Sequence, residues 1–235
     1  MQILKVIFLY ASLFFGQEPM NNVRETAATV VQKTEYAYST TSRYLDSGKL
    51  VVTVTNALKT PTSTAIYYRT AYTTKGPFNF EFYKLGQSNS LFIVNRDNVG
   101  NTNCWWGIND KTRKYDHLLD ALAEAQGIST LTSTMIPKFL FARDGKRGPN
   151  LFKEMYDLIL LQQENINGIE CYKISASYKT GSAIVWIGQT DFLIRKVEMH
   201  QIMKGIDFLT EYFITPYQTT NDAEFRFRPN RSIKV

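Results

Sequence analysis

From Asn22 to Ser42 the apolar residues Val23, Ala27, Val30, Val31 and Tyr38 recur three and four positions apart, which is the period of one helix face. Asn21 or Asn22 can cap this helix, and Glu25 falls in its first turn. The pattern predicts a long amphipathic helix that ends near Tyr44-Leu45-Asp46-Ser47-Gly48, where Asp, Ser and Gly supply turn chemistry. Beyond it the period changes to two. Leu50, Val52 and Val54 share one face of a strand over 49–55, and Ile66, Tyr68 and Tyr72 share one over 65–73. Phe78, Phe80 and Phe82 line up against Asn79, Glu81 and Tyr83 in the next strand. Residues 91–95 are apolar on both faces, and 103–108 carry Cys104, Trp105 and Trp106 before Asn109-Asp110-Lys111-Thr112 turns the chain.

The middle of the chain reads differently. Leu118, Leu119, Leu122 and Ala125 mark one side of a helix over 116–125, which Gly127 is expected to break. A second helical stretch, 129–142, contains Leu131, Met135, Ile136, Phe139 and Leu140, with Pro137 inside it to kink or shorten it. A polar loop over 143–150 and an apolar stretch over 151–163 lead to Asn167-Gly168. Both of these residues tolerate the positive φ of a type I′ hairpin turn. Strands follow at 168–174, 184–188, 192–198, 208–214 and 223–228. Roughly ten consecutive strands, one long helix and a short helical insertion define an α+β protein. The expected architecture is a curled antiparallel sheet, a half-open β-barrel, with an N-terminal helix and a helical cover on its concave side.

The first residues change the picture of where the protein works. Lys5 and the apolar run from Val6 to Phe15, broken only by Ser12, fit a secretory signal segment over 1–16. The run is about half the roughly 20 residues a bilayer span requires. A cut after Gly16 would leave Phe14 where a small residue is preferred, and an N-terminal strand or buried helix is the alternative. No Pro/Gly/Ser-rich linker divides 17–235, so one domain is expected, in a periplasmic protein. Lys and Arg number 27 against 21 Asp and Glu. That excess is scattered, with small clusters at Lys111-Arg113-Lys114 and Arg143-Lys146-Arg147. It fits contact with anionic lipid headgroups better than binding of nucleic acid. Cys104 and Cys171 either form one disulfide or are two buried small side chains, the second being preferred.

Candidate catalytic chemistry is sparse. His117 and His200 are the two histidines, far apart in sequence, and each reads as a surface or hydrogen-bonded residue. There is no Gly-rich phosphate loop, Gly-x-Ser-x-Gly elbow or Cys-x-x-Cys motif. Asp191 and Glu198 flank one strand without forming a marked acid–base pair. No enzyme activity, cofactor or metal is expected. Fifteen Phe, fourteen Tyr and three Trp stand out instead, many in strands that are apolar on both faces. A sheet curled around an apolar interior uses residues in this way, and so does a filled core beneath the long helix.

Three stretches carry a family resemblance: Tyr44-Leu45-Asp46-Ser47-Gly48; Gly168-Ile169-Glu170-Cys171-Tyr172 with Val185-Trp186-Ile187 and Leu193-Ile194-Arg195-Lys196; and 221–229, where Phe225, Phe227 and Pro229 end a last strand. Over about 24–230 the chain resembles the bacterial lipoprotein-localisation carriers and outer-membrane lipoprotein-sorting proteins. In the sorting branch Asp usually follows the Trp-Ile pair, whereas Gly188 stands here. The resemblance implies a half-open barrel plugged by helices that carries acyl chains of lipids or lipoproteins without cofactor or metal. A related branch senses misplaced envelope lipoproteins. On that pattern Phe80, Phe82, Trp106 and Trp186 are expected to line a cavity, with Met135, Ile136 and Phe139 as its cover. The expected partners are a lipid or acylated lipoprotein, and transiently a membrane or membrane protein, met by a monomer. A regulatory docking module or envelope-stress sensor on the same fold is the alternative.

Overall fold

The computed structural model describes residues 25–56, 59–74, 76–84, 90–144, 150–179 and 181–217. The signal segment expected at 1–16, the last strand expected at 223–228 and the third resemblance stretch lie outside them. Helix α1 (Ala27–Thr40) precedes six strands: β1 (Arg43–Asn56), β2 (Lys59–Thr73), β3 (Phe78–Tyr83), β4 (Phe92–Arg96), β5 (Thr102–Trp106) and β6 (Lys111–Tyr115). Helices α2 (Leu118–Ser129) and α3 (Thr132–Leu140) and two single 3₁₀ turns, Phe141–Asp144 and Leu151–Glu154, come next. The chain then forms β7 (Met155–Leu160), β8 (Glu164–Ile166), β9 (Ile169–Tyr178), β10 (Gly181–Gly188), β11 (Ile194–Met203) and β12 (Ile206–Tyr217).

These strands make one antiparallel sheet in the order β6-β5-β4-β3-β2-β1-β12-β11-β10-β9-β7, with β8 pairing the start of β9. Two meanders are joined where β1 pairs β12, so the edge strands β6 and β7 are also the strands that flank α2 and α3 in sequence. The helical segment therefore runs from one edge of the curled sheet to the other. Its buried side chains share one apolar core with the inner faces of the strands and with α1. This is the curled α+β half-barrel expected from the strand pattern.

The inner face of β2–β5 is a ladder of rings. Register places Tyr68 opposite Phe82, Phe82 opposite Phe92, and Phe92 opposite Trp106. Ring centroids lie 5.1 Å apart for Phe82–Phe92, 5.6 Å for Phe92–Trp106 and 6.1 Å for Tyr68–Phe80, in the range where aromatic pairs attract. The alternation of Phe78, Phe80 and Phe82 in the sequence produces this ladder, because successive side chains of a strand point to opposite faces.

Three local expectations are corrected. Tyr44 to Gly48 is not a turn but the first third of β1, where Tyr44 pairs Tyr72 and Leu45 pairs both Ala71 and Tyr217. Two ladder neighbours override the local turn preference of Asp, Ser and Gly. Gly48 has another use here: the Tyr68 ring of β2 lies across it, and a Cβ would fall 2.1 Å from the Tyr68 Cζ. Gly48→Ala is thus expected to cost about 1–3 kcal/mol, the usual range for overpacking, measured as a lower midpoint of thermal unfolding; an unchanged midpoint would show that Tyr68 does not occupy this space. Gly127, second, does not break α2, which runs on to Ser129. The break is Thr130-Leu131, both left-handed (φ 49° and 76°), with the Tyr212 hydroxyl of β12 donating to the Thr130 carbonyl. Third, β6 is a strand that the sequence pattern hides: Lys-Thr-Arg-Lys-Tyr has no apolar alternation, because an exposed edge strand needs none.

The remaining turn chemistry agrees with the sequence. Asn167 and Gly168 have φ 52° and 85°, the two positive values of a type I′ turn. Pro137 lies within α3, which is held to nine residues and tightens into the 3₁₀ turn at Phe141.

Candidate functional site

The strap formed by α2 and α3 is fixed at its joint and along its underside. The Ser133 hydroxyl donates to the Leu122 carbonyl at 2.9 Å, and the Thr132 hydroxyl to the Ser129 carbonyl at 2.7 Å, so polar groups freed at the helix break are satisfied locally. Below α3, Phe139 stacks on Tyr38 of α1 with centroids 5.3 Å apart and meets Phe152 edge-on at 5.4 Å. The Tyr38 hydroxyl in turn accepts the backbone N–H of Ile194 at 3.1 Å, tying α1 to β11.

One ionisable side chain is enclosed beneath this assembly. Asp46 of β1 is fully buried, and the Tyr44 hydroxyl donates to its Oδ2 at 2.9 Å. Burial pushes its carboxyl up to about 7, against the opposing effects of Thr70 and of the Tyr44 hydroxyl. Burial likewise pushes the Cys104 thiol up to about 12. Cys104 and Cys171 are both free and buried, on β5 and β9, which are well separated in strand order.

The structure brings six of the seven residues expected at a cavity into one place. Phe80, Phe82 and Phe139 are completely buried, Met135 and Ile136 nearly so, and Trp106 packs half-buried against the same core. Trp186 is elsewhere. Its neighbours Val185 and Ile187 point into the core, while its own ring lies on the opposite face with Lys173 and Lys196 over it at 5.2 and 4.8 Å. The sequence could not assign this face, since Ile184 to Gly188 is apolar on both sides and a bulge in the β10–β11 pairing shifts the register. Near that bulge, Gly188 leaves room that Asp191 fills: Oδ1 of Asp191 lies 2.6 Å from where a Cβ would stand, and Asp191 pairs with Arg195.

Open space among the described residues lies at the end of the β4–β5 pair opposite to Phe92 and Trp106. A half-open groove of about 690 Å³ runs between α2, α3 and the end of the β4–β5 pair, in the size range of small-molecule sites. Leu118, Leu119, Leu122, Ala123, Pro137 and Phe141 form its apolar walls, and polar and charged side chains, Arg96, Asp116, Asp120 and Lys138 among them, also line it. None of the seven residues named above lines this groove. Sequence reasoning had placed Leu118, Leu119 and Leu122 on the buried stripe of α2. The signal for a second role is the width of that stripe, because Leu119 remains half-exposed where a stripe confined to the core would cover it.

Metal and membrane-spanning features are simple to state. Among the described residues no three His, Cys, Asp or Glu come together, and no helix is long and apolar enough to cross a membrane. His117 is exposed at the start of α2, and His200 meets Asp207 at 2.6 Å on the surface.

No protein-family model and no curated protein matches the sequence. Among solved structures the chain is similar to a LolA superfamily protein from Nitrosomonas europaea, at 9% identity over 86% of this chain and 98% of that one, with a TM-score of 0.33. It is similar to LprF from Mycobacterium bovis, at 13% identity over 80% and 91% of the two chains, TM-score 0.41. A third likeness is to the MucA/MucB complex of Pseudomonas aeruginosa, at 12% identity over 89% of this chain and 64% of that one, TM-score 0.47. Identities this low concern the chain path alone, and the functional reading rests on the protein's own groove.

Proposed function

We propose that this protein is a periplasmic carrier or binding protein, exported by the segment 1–16, that sequesters an acyl chain of a lipid or lipoprotein. The single observation behind this reading is the 690 Å³ groove with apolar walls and charged residues along it, beside a strap of two short helices. Each methylene removed from water contributes about 0.8 kcal/mol, so one long chain supplies roughly 10 kcal/mol before costs. Ordering the chain and shifting the strap offset much of that, which suits a carrier that must release its cargo. Phe80, Phe82 and Trp106 would be reached by a longer chain only if Met135, Ile136 and Phe139 lift with the strap. The chemistry is binding, with no bond made or broken, and the protein works as a monomer.

A second reading follows from the packed interior. With Phe80, Phe82 and Phe139 fully buried, the protein can also act by docking its outer surface on a membrane protein as a regulatory module. Mass spectrometry of organic extracts, from protein secreted to a periplasm and purified without detergent, separates the two. A stoichiometric lipid or acylated peptide is the expected result. Protein that is empty, and stays empty after incubation with lipid vesicles, would leave the docking module as the better reading.

The groove also orders the variants. Leu119→Glu places a charge on the half-exposed groove wall and is expected to reduce lipid occupancy at least tenfold with folding retained. Trp186→Ala, on the opposite face, is expected to leave occupancy within about twofold of wild type. The reverse ranking would move the binding site to the outer face of the sheet.

A further inference from the structure

The charges along the groove specify more than a lipid. Arg96 ends β4 and Lys138 sits in the last turn of α3, while Asp116 stands one residue before the His117 cap of α2 and Asp120 lies in its first turn. Because α2 and α3 join through two residues, and Ser133 bonds back to Leu122, the start of α2 lies beside the end of α3. Both cations and both carboxylates line this one groove. Among the described residues none of the four is in an ion pair. Arg96 is held on the sheet side, its guanidinium over the Phe141 ring at 5.2 Å and one N–H donating to the Gly76 carbonyl at 3.4 Å. Two cations and two carboxylates thus line one groove without neutralising each other.

Accepting the groove as the acyl site, we propose that it selects amphiphiles whose headgroup carries both a phosphate and a primary ammonium, of the phosphoethanolamine type. Arg96 and Lys138 take the phosphate oxygens, for which guanidinium and ammonium donors are suited. Asp116 and Asp120 accept N–H bonds from the ammonium, which offers three donors. The acyl chain lies along Leu119, Leu122 and Ala123 toward the helix joint. The same set of groups disfavours the two nearest alternatives. A purely anionic headgroup brings no cation to pair with the two carboxylates and is repelled by them. A quaternary ammonium cannot donate to them and is normally held by an aromatic cage. Of the two rings lining this groove, Phe141 is already covered by Arg96, and the His117 imidazole by itself makes no cage.

The test is calorimetric binding of three monoacyl phospholipids of one chain length, below their micelle concentrations, to the full chain. Their headgroups are phosphoethanolamine, phosphoglycerol and phosphocholine. The expected result is that the first binds at least fivefold more tightly than either other. Asp116→Asn with Asp120→Asn removes that preference and leaves phosphoglycerol binding equal or stronger. Lys138→Gln weakens all three, and Arg96→Gln does the same if its loss from Phe141 is tolerated. Equal binding of the three by wild type would overturn the headgroup assignment while leaving the acyl reading intact. A preference that survives the double Asp variant would also overturn it. Binding of none of them would sink the acyl reading itself. Free phosphoethanolamine at millimolar concentration is expected to displace little of the bound lipid. Complete displacement, with no dependence on chain length, would reassign the groove to a soluble zwitterion.

Discussion

Phe139→Ala is expected to lower stability by about 3–5 kcal/mol, the cost of removing a fully enclosed ring and leaving a cavity behind. For a chain of this size each kcal/mol moves the unfolding midpoint by about 2–4 °C, so a fall of roughly 6–20 °C should be seen. The size follows from position. Phe139 is the one side chain of α3 that stacks on α1, through Tyr38, and also meets the 3₁₀ turn before β7, through Phe152. Its removal therefore loosens the strap from two elements at once. Phe139→Leu keeps most of the apolar volume and should cost less than half as much. The same variants separate cover from core in function. If the strap is a cover, Phe139→Leu should speed lipid release more than its modest loss of stability would produce through global unfolding. Equal stability of Phe139→Ala and wild type would mean that α3 does not pack as described.

The elements that the sequence made legible share a physical reason. Wherever apolar side chains line one face of an element and polar ones stand on the other, the apolar period survives in the sequence, as in α1, in β2 with Tyr68 and Tyr72, and in Phe78-Phe80-Phe82, opposite Asn79 and Glu81. The Asn167-Gly168 turn was legible because few residue pairs accept two positive φ values. Elements with no buried face, such as β6, or with apolar side chains on both faces, such as β10 around Trp186, leave no such period. Their identity or orientation is decided by neighbours far away in sequence. Tyr44 to Gly48 shows the same limit from the other side: its composition favours a turn, and only pairing with β2 and β12 makes it a strand. The candidate site suffered most. Bulky aromatic residues attract attention as cavity linings, yet they fill space best, and here they form the core. The groove is bounded by residues of ordinary type, Leu119, Ala123, Pro137 and four charges, whose meeting depends on the joint at Thr130-Leu131.

Asp46→Asn is expected to stabilise the protein at neutral and higher pH and to flatten its pH dependence. The carboxyl is fully buried, next to the Tyr44 hydroxyl and within the electrostatic reach of Tyr38 and Tyr68, with Thr70 opposite it on β2. Burial raises its pKa from the ordinary value near 4 to about 7 in the folded protein. Between those two values the folded protein keeps a proton that the unfolded chain has released. Stability from this group is therefore fully present below about pH 4, declines as pH rises, and has been lost above about pH 7. Three pKa units correspond to about 4 kcal/mol, an upper figure because structural relaxation around the charge reduces it. Asn keeps the shape and an acceptor for Tyr44 without the charge. Urea midpoints for wild type should fall from pH 4 to pH 8, and those of Asp46→Asn should change much less and exceed wild type at pH 8. Parallel curves for the two proteins would show that Asp46 is not titrating within the fold. The prediction bears on function because Asp46 lies on the inner face beneath α1, behind the strap. On the proposed acyl-carrier reading, an ionised carboxylate there weakens the packing that the strap would leave to admit a longer chain, and the expected result is cargo uptake faster at pH 8 than at pH 5 in wild type and much less pH-dependent in Asp46→Asn.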